Sequence, residues 1–348
     1  MNTARGITSE TAAYAVGMEI FLNVVLLAAG LALIVKGGDF FVECASWIAK
    51  ALGVPELIIG ATVVSVGTTL PELFTSLTAV IQGMAVGGEA AEGFNMIAVG
   101  NSIGSMLCNI GLILGLAIAV RPPSIGRGFA PKAVFLCCAA AVSAAFCMTG
   151  SGISLAEGIA LLAVFGAFVA LNIAEGKRDV RVSVSGPALR ERYSAKTWAA
   201  KFAVFAVSAV AIAGGAKLLC DNAQALCISL GISQQIVGIT VVAIGTSLPE
   251  LVTCMTSLVK GRTDIGVGNI IGANVINGTL LLGVSAAVTG SGLPIDAFTA
   301  QAAVPAMLVI TAVLVVPSLI FKKTFRVQGA ILLALYTGFV IYNIVAVT

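Results

Sequence analysis

Ten apolar stretches recur along the chain, at about 18–48, 53–81, 93–119, 132–149, 154–174, 199–229, 234–259, 264–289, 298–319 and 326–346. Nearly all of them are long enough to cross about 30 Å of hydrocarbon as a helix. They leave little sequence for anything else. Only 10% of the residues are charged, where a soluble domain carries roughly a quarter. This excludes a soluble enzyme or a nucleic-acid-binding module. The expected fold is all-α, a polytopic membrane protein of ten transmembrane helices. Several stretches exceed the roughly 20 residues that a straight helix needs, so tilted or broken helices are expected.

Histidine is absent, which removes zinc-metalloprotease motifs, histidine-ligated haem and histidine proton relays. The eight cysteines have no CxxC spacing and lie mostly in apolar runs, as small buried hydrophobes do. Lys36-Gly37-Gly38 is a poor small-residue cleavage site, so a cleaved leader is not expected.

With ten spans the connections alternate between two sides, and the basic residues fall on one. That set holds Lys50, then Arg121, Arg127 and Lys132, then the group from Lys177 to Lys196, then Lys260 and Arg262, and finally Lys322, Lys323 and Arg326. The opposite set has almost no basic residue, and one of its members carries Glu89 and Glu92. Cationic loops stay in the cytoplasm, so both termini are expected outside, in the cell (inner) membrane. The one long polar connection, 175–197, divides the chain into a first half, 1–174, and a second, 198–348. Its charges suit a solvated connector better than a lipid or protein ligand.

The halves repeat one another. GATVVSVGTTLPELFTSLT (60–78) matches GITVVAIGTSLPELVTCMT (238–256) at 12 of 19 positions. Gly37 and Gly53 align with Gly215 and Gly231 in the same register. Downstream, VGNSIGSMLCNIGLILG (99–115) faces VGNIIGANVINGTLLLG (267–283). Five spans per copy is an odd number, so the second copy is inverted. Inverted-topology repeats are a transporter arrangement with a shared site near the midplane.

Each copy places a carboxylate deep in an apolar span: Glu72 after Gly67-Thr68-Thr69-Leu70-Pro71, and Glu250 after Gly245-Thr246-Ser247-Leu248-Pro249. An intramembrane carboxylate is costly, and its default role is to face a cation, a proton or a polar cavity. Glycine and proline together predict helix breaks at 67–71 and 245–249, freeing carbonyls to bind Na⁺ or Ca²⁺. Thr69 and Ser247 lie three residues before the glutamates, on the same face, with Thr68 and Thr246 beside them. Spans 3 and 8 add Ser105 with Asn109, and Asn277. Asn101, Asn269 and Asn274 are weaker candidates, better suited to interhelical hydrogen bonds. Gly100-x-x-x-Gly104 and Gly268-x-x-x-Gly272 are expected to bring helices into close contact. An oxygen-only set of two carboxylates, hydroxyls and amides suits Ca²⁺ better than Mg²⁺ or a transition metal. One shared pair of carboxylates also serves Na⁺ or protons, which is the simplest basis for antiport. No enzyme chemistry, catalytic residue or resident cofactor is implied. The expected partners are the transported Ca²⁺ and Na⁺ and membrane lipid, with no nucleic acid and no obligate protein.

These paired motifs, GTTLPELFTSLTA with GNSIGSMLCNIG and GTSLPELVTCMTS with GNIIGANVINGT, resemble those of the sodium/calcium exchanger branch of the cation/calcium antiporter superfamily. The resemblance covers nearly the whole chain. It implies that helices 2, 3, 7 and 8 surround the ions while long helices 1 and 6 slide across them to alternate access. It also implies that Glu72 and Glu250 are the central acidic ligands, Thr69 and Ser247 the hydroxyls, and Thr68 and Thr246 their neighbours. Ser65 and Ala243 match positions whose backbone carbonyls help bind Na⁺. Three positions depart from the pattern: Ala273 and Met106 replace a serine and an asparagine, and Asn277 stands where several members have aspartate. The last departure points away from K⁺ co-transport. Ca²⁺ export driven by Na⁺ is the leading expectation, and H⁺-coupled cation antiport is the alternative.

Overall fold

The computed structural model describes residues 3–123, 126, 128–149, 152–184, 193–229, 243–290 and 292–347. Among these, nine helices are long and apolar enough to cross a membrane, and a shorter apolar one completes the set. In chain order they are α1 (Thr3–Leu52), α2 (Glu56–Val86), α3 (Phe94–Val120), α4 (Phe129–Met148) and α5 (Leu155–Val184). The second half has α6 (Ala195–Ser229), α7 (Leu248–Val259), α8 (Thr263–Thr289), α9 (Thr299–Phe321) and α10 (Arg326–Val347). The first part of the seventh expected span, 234–242, lies outside the described residues.

Local sequence explains the first boundary. Gly53 takes φ +66°, and the amides of Gly53 and Val54 bond the carbonyls of Lys50 and Ala49 at 3.1 and 2.9 Å. Pro55, which has no amide hydrogen to continue the ladder, then turns the chain into α2. The fifth helix runs past the expected end at 174, so the polar connection begins as helix as far as Val184.

One expected break is not there. Pro71 sits inside regular α-helix from Ser65 to Val86, where proline costs chiefly the amide partner of the Gly67 carbonyl. The irregularity comes earlier, as a π-helical segment at Gly60–Val64. In the second copy the break does form. A short helix, Ala243–Thr246, is separated from α7 by Ser247, at φ −90° and ψ 6°. Pro249 therefore lies in the first turn of α7, where its missing donor is not needed. Two further π-helical segments, Cys108–Leu114 in α3 and Ile276–Leu281 in α8, occupy matching positions of the repeat.

Burial separates centre from periphery. The apolar windows of α8, α3 and α2 are 83%, 72% and 56% buried, against 22% for α1, α5 and α10. The main core joins α3, α4, α8 and α9 through residues such as Ile103, Ile110, Leu136, Ile271, Met307 and Leu314. Lipid tails are as apolar as leucine, so close packing of small residues must help hold helices together. A Cβ on Gly268 would lie 2.4 Å from the Leu57 carbonyl oxygen, and one on Gly272 would lie 2.5 Å from that of Ala61. Those two glycines therefore seat α8 on the first half of α2. Their counterparts Gly100 and Gly104 do not make the expected contact among the described residues, where a Cβ would meet nothing within 4 Å. The second-copy stretch equivalent to 57–65, residues 235–243, lies almost wholly outside the described residues.

Helices α1 and α6 pack along one another, apart from the main core. The repeat-related Gly37 and Gly215 mark the crossing: a Cβ on Gly37 would approach Ile212, and one on Gly215 the Gly30 carbonyl. Phe41 stacks on Phe205 at 4.3 Å, and Trp47 meets Trp198 edge-on at 4.9 Å. Lys260, in the α7–α8 connection, bonds Glu43 Oε1 at 2.8 Å and reaches Asp39 Oδ1 at 3.3 Å, fastening α1 to the end of α7. Burial alone would lower the Lys260 pKa, but its hydrogen bonds to Glu43 and Asp39 outweigh that and raise it. Lys132 of α4, fully buried, pairs with Glu175 of α5. At the opposite end, Gly152–Ile153 pairs antiparallel with Leu293–Pro294 and ties the two halves together.

Candidate ion-binding site

Glu72 and Glu250 are both fully buried, and Thr69, three residues before Glu72, donates to Glu250 Oε1 at 3.0 Å, although 178 residues separate the two glutamates in sequence. The packing that brings them together crosses between the halves. The Glu72 part of α2 rests on the π-helical segment carrying Asn277, and α7 rests on the segment carrying Asn109. A π turn adds a residue to the helical register and turns side chains away from the regular faces. Such turns are frequent at functional sites.

What most distinguishes the site is its set of unpaired polar atoms. Both carboxylate oxygens of Glu72, Oε2 of Glu250, and the Oδ1 and Nδ2 atoms of Asn109 and Asn277 are buried without a hydrogen-bond partner among the described residues. Buried polar groups are almost always paired. Two neighbouring buried carboxylates are especially costly without a compensating charge. The arrangement therefore suits a cation held by oxygens.

The hydroxyls divide between the glutamates and a supporting frame. Thr69 donates to Glu250 Oε1 at 3.0 Å. Thr68 donates to Asn269 Oδ1 at 3.0 Å and reaches the Ser65 carbonyl at 3.3 Å. That carbonyl therefore lies at the site, while the Ser65 hydroxyl turns back to the Thr62 carbonyl at 3.0 Å. Ser247 Oγ lies 3.4 Å from Ser105 Oγ. Thr246 is half-buried and lies 3.5 Å from Asn101 Oδ1. Ala243 begins the short helix ahead of Ser247.

The weaker asparagine candidates serve the frame. Asn101 donates to the Glu72 carbonyl at 3.1 Å and to Ser76 Oγ at 2.9 Å, and Asn274 donates to the Ile270 carbonyl at 2.7 Å. Sequence reasoning missed Ser102 and Ser143, whose hydroxyls bond the carbonyls of Asn277 and Gly278 at 2.7 and 2.5 Å. They brace the π turn, Ser102 from within the span-3 motif and Ser143 from α4 outside the motifs, and a serine in an apolar helix gives no signal of that. Cys108 was also missed; its thiol lies beside Ser247 and Tyr336.

Residues 22–174 and 200–345 match the family model described as sodium/calcium exchanger protein. The chain belongs to the sodium/calcium exchanger family. The similarity extends to the solved structure of the sodium-calcium exchanger NCX_Mj soaked with Na⁺ and Sr²⁺, at a TM-score of 0.76 and 28% identity, covering 91% of this chain and 97% of that one. The fold is accordingly the exchanger fold, all-α with two inverted repeats of five helices. Inner membrane protein YrbG of Escherichia coli is 36% identical over 273 residues, 78% of this chain and 81% of its own length. Sodium/calcium exchanger MaX1 of Methanosarcina acetivorans is 28% identical, over 92% of this chain and 98% of its own. This exchanger-family chain is a transporter, and its ions are substrates.

Proposed function

We propose that the chain is a secondary antiporter exchanging Ca²⁺ for Na⁺ by alternating access, without K⁺. The observation that carries this reading is the pair of buried glutamates with unpaired oxygens, flanked by two unpaired asparagine amides. Two formal negative charges balance one Ca²⁺, and Thr69, Ser247, Asn109 and Asn277 add neutral oxygens of the hard kind that Ca²⁺ and Na⁺ prefer. Thr68, Thr246 and Ser105 hold these groups in place, and the Ser65 and Ala243 carbonyls serve Na⁺. Because Ca²⁺ and Na⁺ compete for the same carboxylates, loading one excludes the other. The names of the similar exchangers support the same pair of ions.

The repeats are assigned to 1–174 and 198–348, joined by 175–197. The end bearing that connection is assigned to the cytoplasm of a cell (inner) membrane, with both termini outside, on the distribution of Lys and Arg. Membrane lipid is the only further partner assigned.

Equilibrium binding of radiolabelled Ca²⁺ to the purified protein tests the shared site. Na⁺ should displace the bound Ca²⁺, and Glu72→Gln should weaken it at least tenfold. Ca²⁺ binding that neither Na⁺ nor the substitution reduces would overturn the reading.

A further inference from the structure

At the basic end of the bundle, a groove of about 670 Å³ opens between the end of α1, the first half of α2 and α5. Its walls are mainly apolar, with Leu52, Val54, Ile58, Ile59, Val169 and Ile173 among them. Ile173 is 52% exposed, so the groove faces outward into the membrane rather than into the bundle. From Val169 to Lys177 along α5 it extends about 12 Å, at 1.5 Å per helical residue.

Three polar side chains line it, each with a different disposition. Thr62 is satisfied within its own helix, donating to the Ile58 carbonyl at 2.7 Å. Asn172 is 99% buried; its Nδ2 donates to the Phe168 carbonyl at 2.8 Å, while Oδ1 has no partner among the described residues. Lys177 is exposed and makes no ion pair among the described residues. Glu175, two residues before it on the same helix, is already paired with Lys132. Lys50 and Arg178, exposed beside Leu52 and Lys177, add positive charge to the rim and make no ion pair among the described residues.

We propose that this groove is a binding site for one glycerophospholipid with an anionic headgroup. An acyl chain lies against the apolar walls and the phosphate sits at Lys177. The form of the groove matches such a ligand at both ends: an apolar channel that opens to the hydrocarbon, and an unpaired cation at its rim. One basic residue near a membrane surface favours an anionic lipid by about fivefold.

The full chain is reconstituted in phosphatidylcholine vesicles doped with a diazirine-tailed probe, either phosphatidylglycerol or phosphatidylcholine. The phosphatidylglycerol probe should label 52–63 and 169–177 about fivefold more than the phosphatidylcholine probe. Lys177→Gln should reduce that preference several-fold, since Lys50 and Arg178 remain at the rim. Ile173→Trp, which fills the groove from an exposed position, should reduce labelling there and leave the exposed face of α9 labelled as before. Equal labelling by the two probes overturns the proposal. So does groove labelling no greater than on α9, or labelling that Ile173→Trp leaves unchanged.

Discussion

The Thr69 hydroxyl donates to Glu250 Oε1 at 3.0 Å, across 181 residues of sequence and from one repeat to the other. Its repeat counterpart does not return the contact: Ser247 lies instead against Ser105, at 3.4 Å. The asymmetry follows the backbone. The first copy keeps α2 helical through Pro71, while the second breaks at Ser247, turning that hydroxyl toward α3. Two copies of one motif thus stand in two conformations, as an inverted repeat that opens to one side at a time requires.

Glu72→Gln and Glu250→Gln each remove one negative charge from the site. A hydrogen bond or ligand contact to a charged group contributes about 1.5–3 kcal/mol, so each change should lower apparent Ca²⁺ affinity by about ten- to a hundredfold. Ca²⁺-uptake titrations of folded, reconstituted variants check this. Normal uptake in both would remove the glutamates from the site.

Gly268→Val puts a branched side chain where a Cβ is already only 2.4 Å from the Leu57 carbonyl. Backbone cannot yield as a flexible side chain does, so a loss of at least about 1–3 kcal/mol is expected. Thermal unfolding in detergent reads it. Gly166→Ala is the control, since a Cβ there meets nothing within 4 Å. It should be neutral, or stabilising by about 0.5–1 kcal/mol through lower backbone entropy.

Lys260 is 24% exposed, and its partners Asp39 and Glu43 are 41% and 63% exposed. Solvent screening limits such surface pairs to about 0–1 kcal/mol, so Lys260→Gln should cost no more than that. Because the folded-state pKa is raised, the contribution is complete below the ordinary lysine value of about 10.4 and is lost as pH rises through the raised value. The stability difference between wild type and variant should therefore be flat from pH 6 to 9 and shrink only in strong alkali. A difference that shrinks within the neutral range would contradict this assignment.

Much of this was legible because a membrane permits few solutions. Apolar run lengths predicted the helices, and the repeat predicted that Glu72 and Glu250 meet. The break at Pro71 was misread because proline in a membrane helix removes one hydrogen bond without dictating a bend, and neighbouring helices can absorb the loss. The π turns at Asn109 and Asn277 leave no compositional trace, since they depend on how α3 and α8 cross the opposite repeat. Gly268 and Gly272 made the expected contact, while for Gly100 and Gly104 the equivalent partner stretch lies outside the described residues.

Asn277→Asp adds a third carboxylate beside two others, and the extra charge calls for an extra cation. Wild-type Ca²⁺ movement should be indifferent to K⁺, whereas the variant should become K⁺-dependent. Vesicle flux with and without K⁺ on both sides separates the two. A K⁺ requirement in the wild type would show that the Asn277 amide does not set this specificity.

Ca²⁺ flux into proteoliposomes, under Na⁺ and H⁺ gradients imposed separately, tests the exchange itself most directly. With pH matched across the membrane and no K⁺ present, a Na⁺ gradient should drive Ca²⁺ uphill. A pH gradient without Na⁺ should drive little. Ca²⁺ accumulation driven equally well by the pH gradient in the complete absence of Na⁺ would contradict Na⁺/Ca²⁺ exchange and assign the site to proton-coupled antiport.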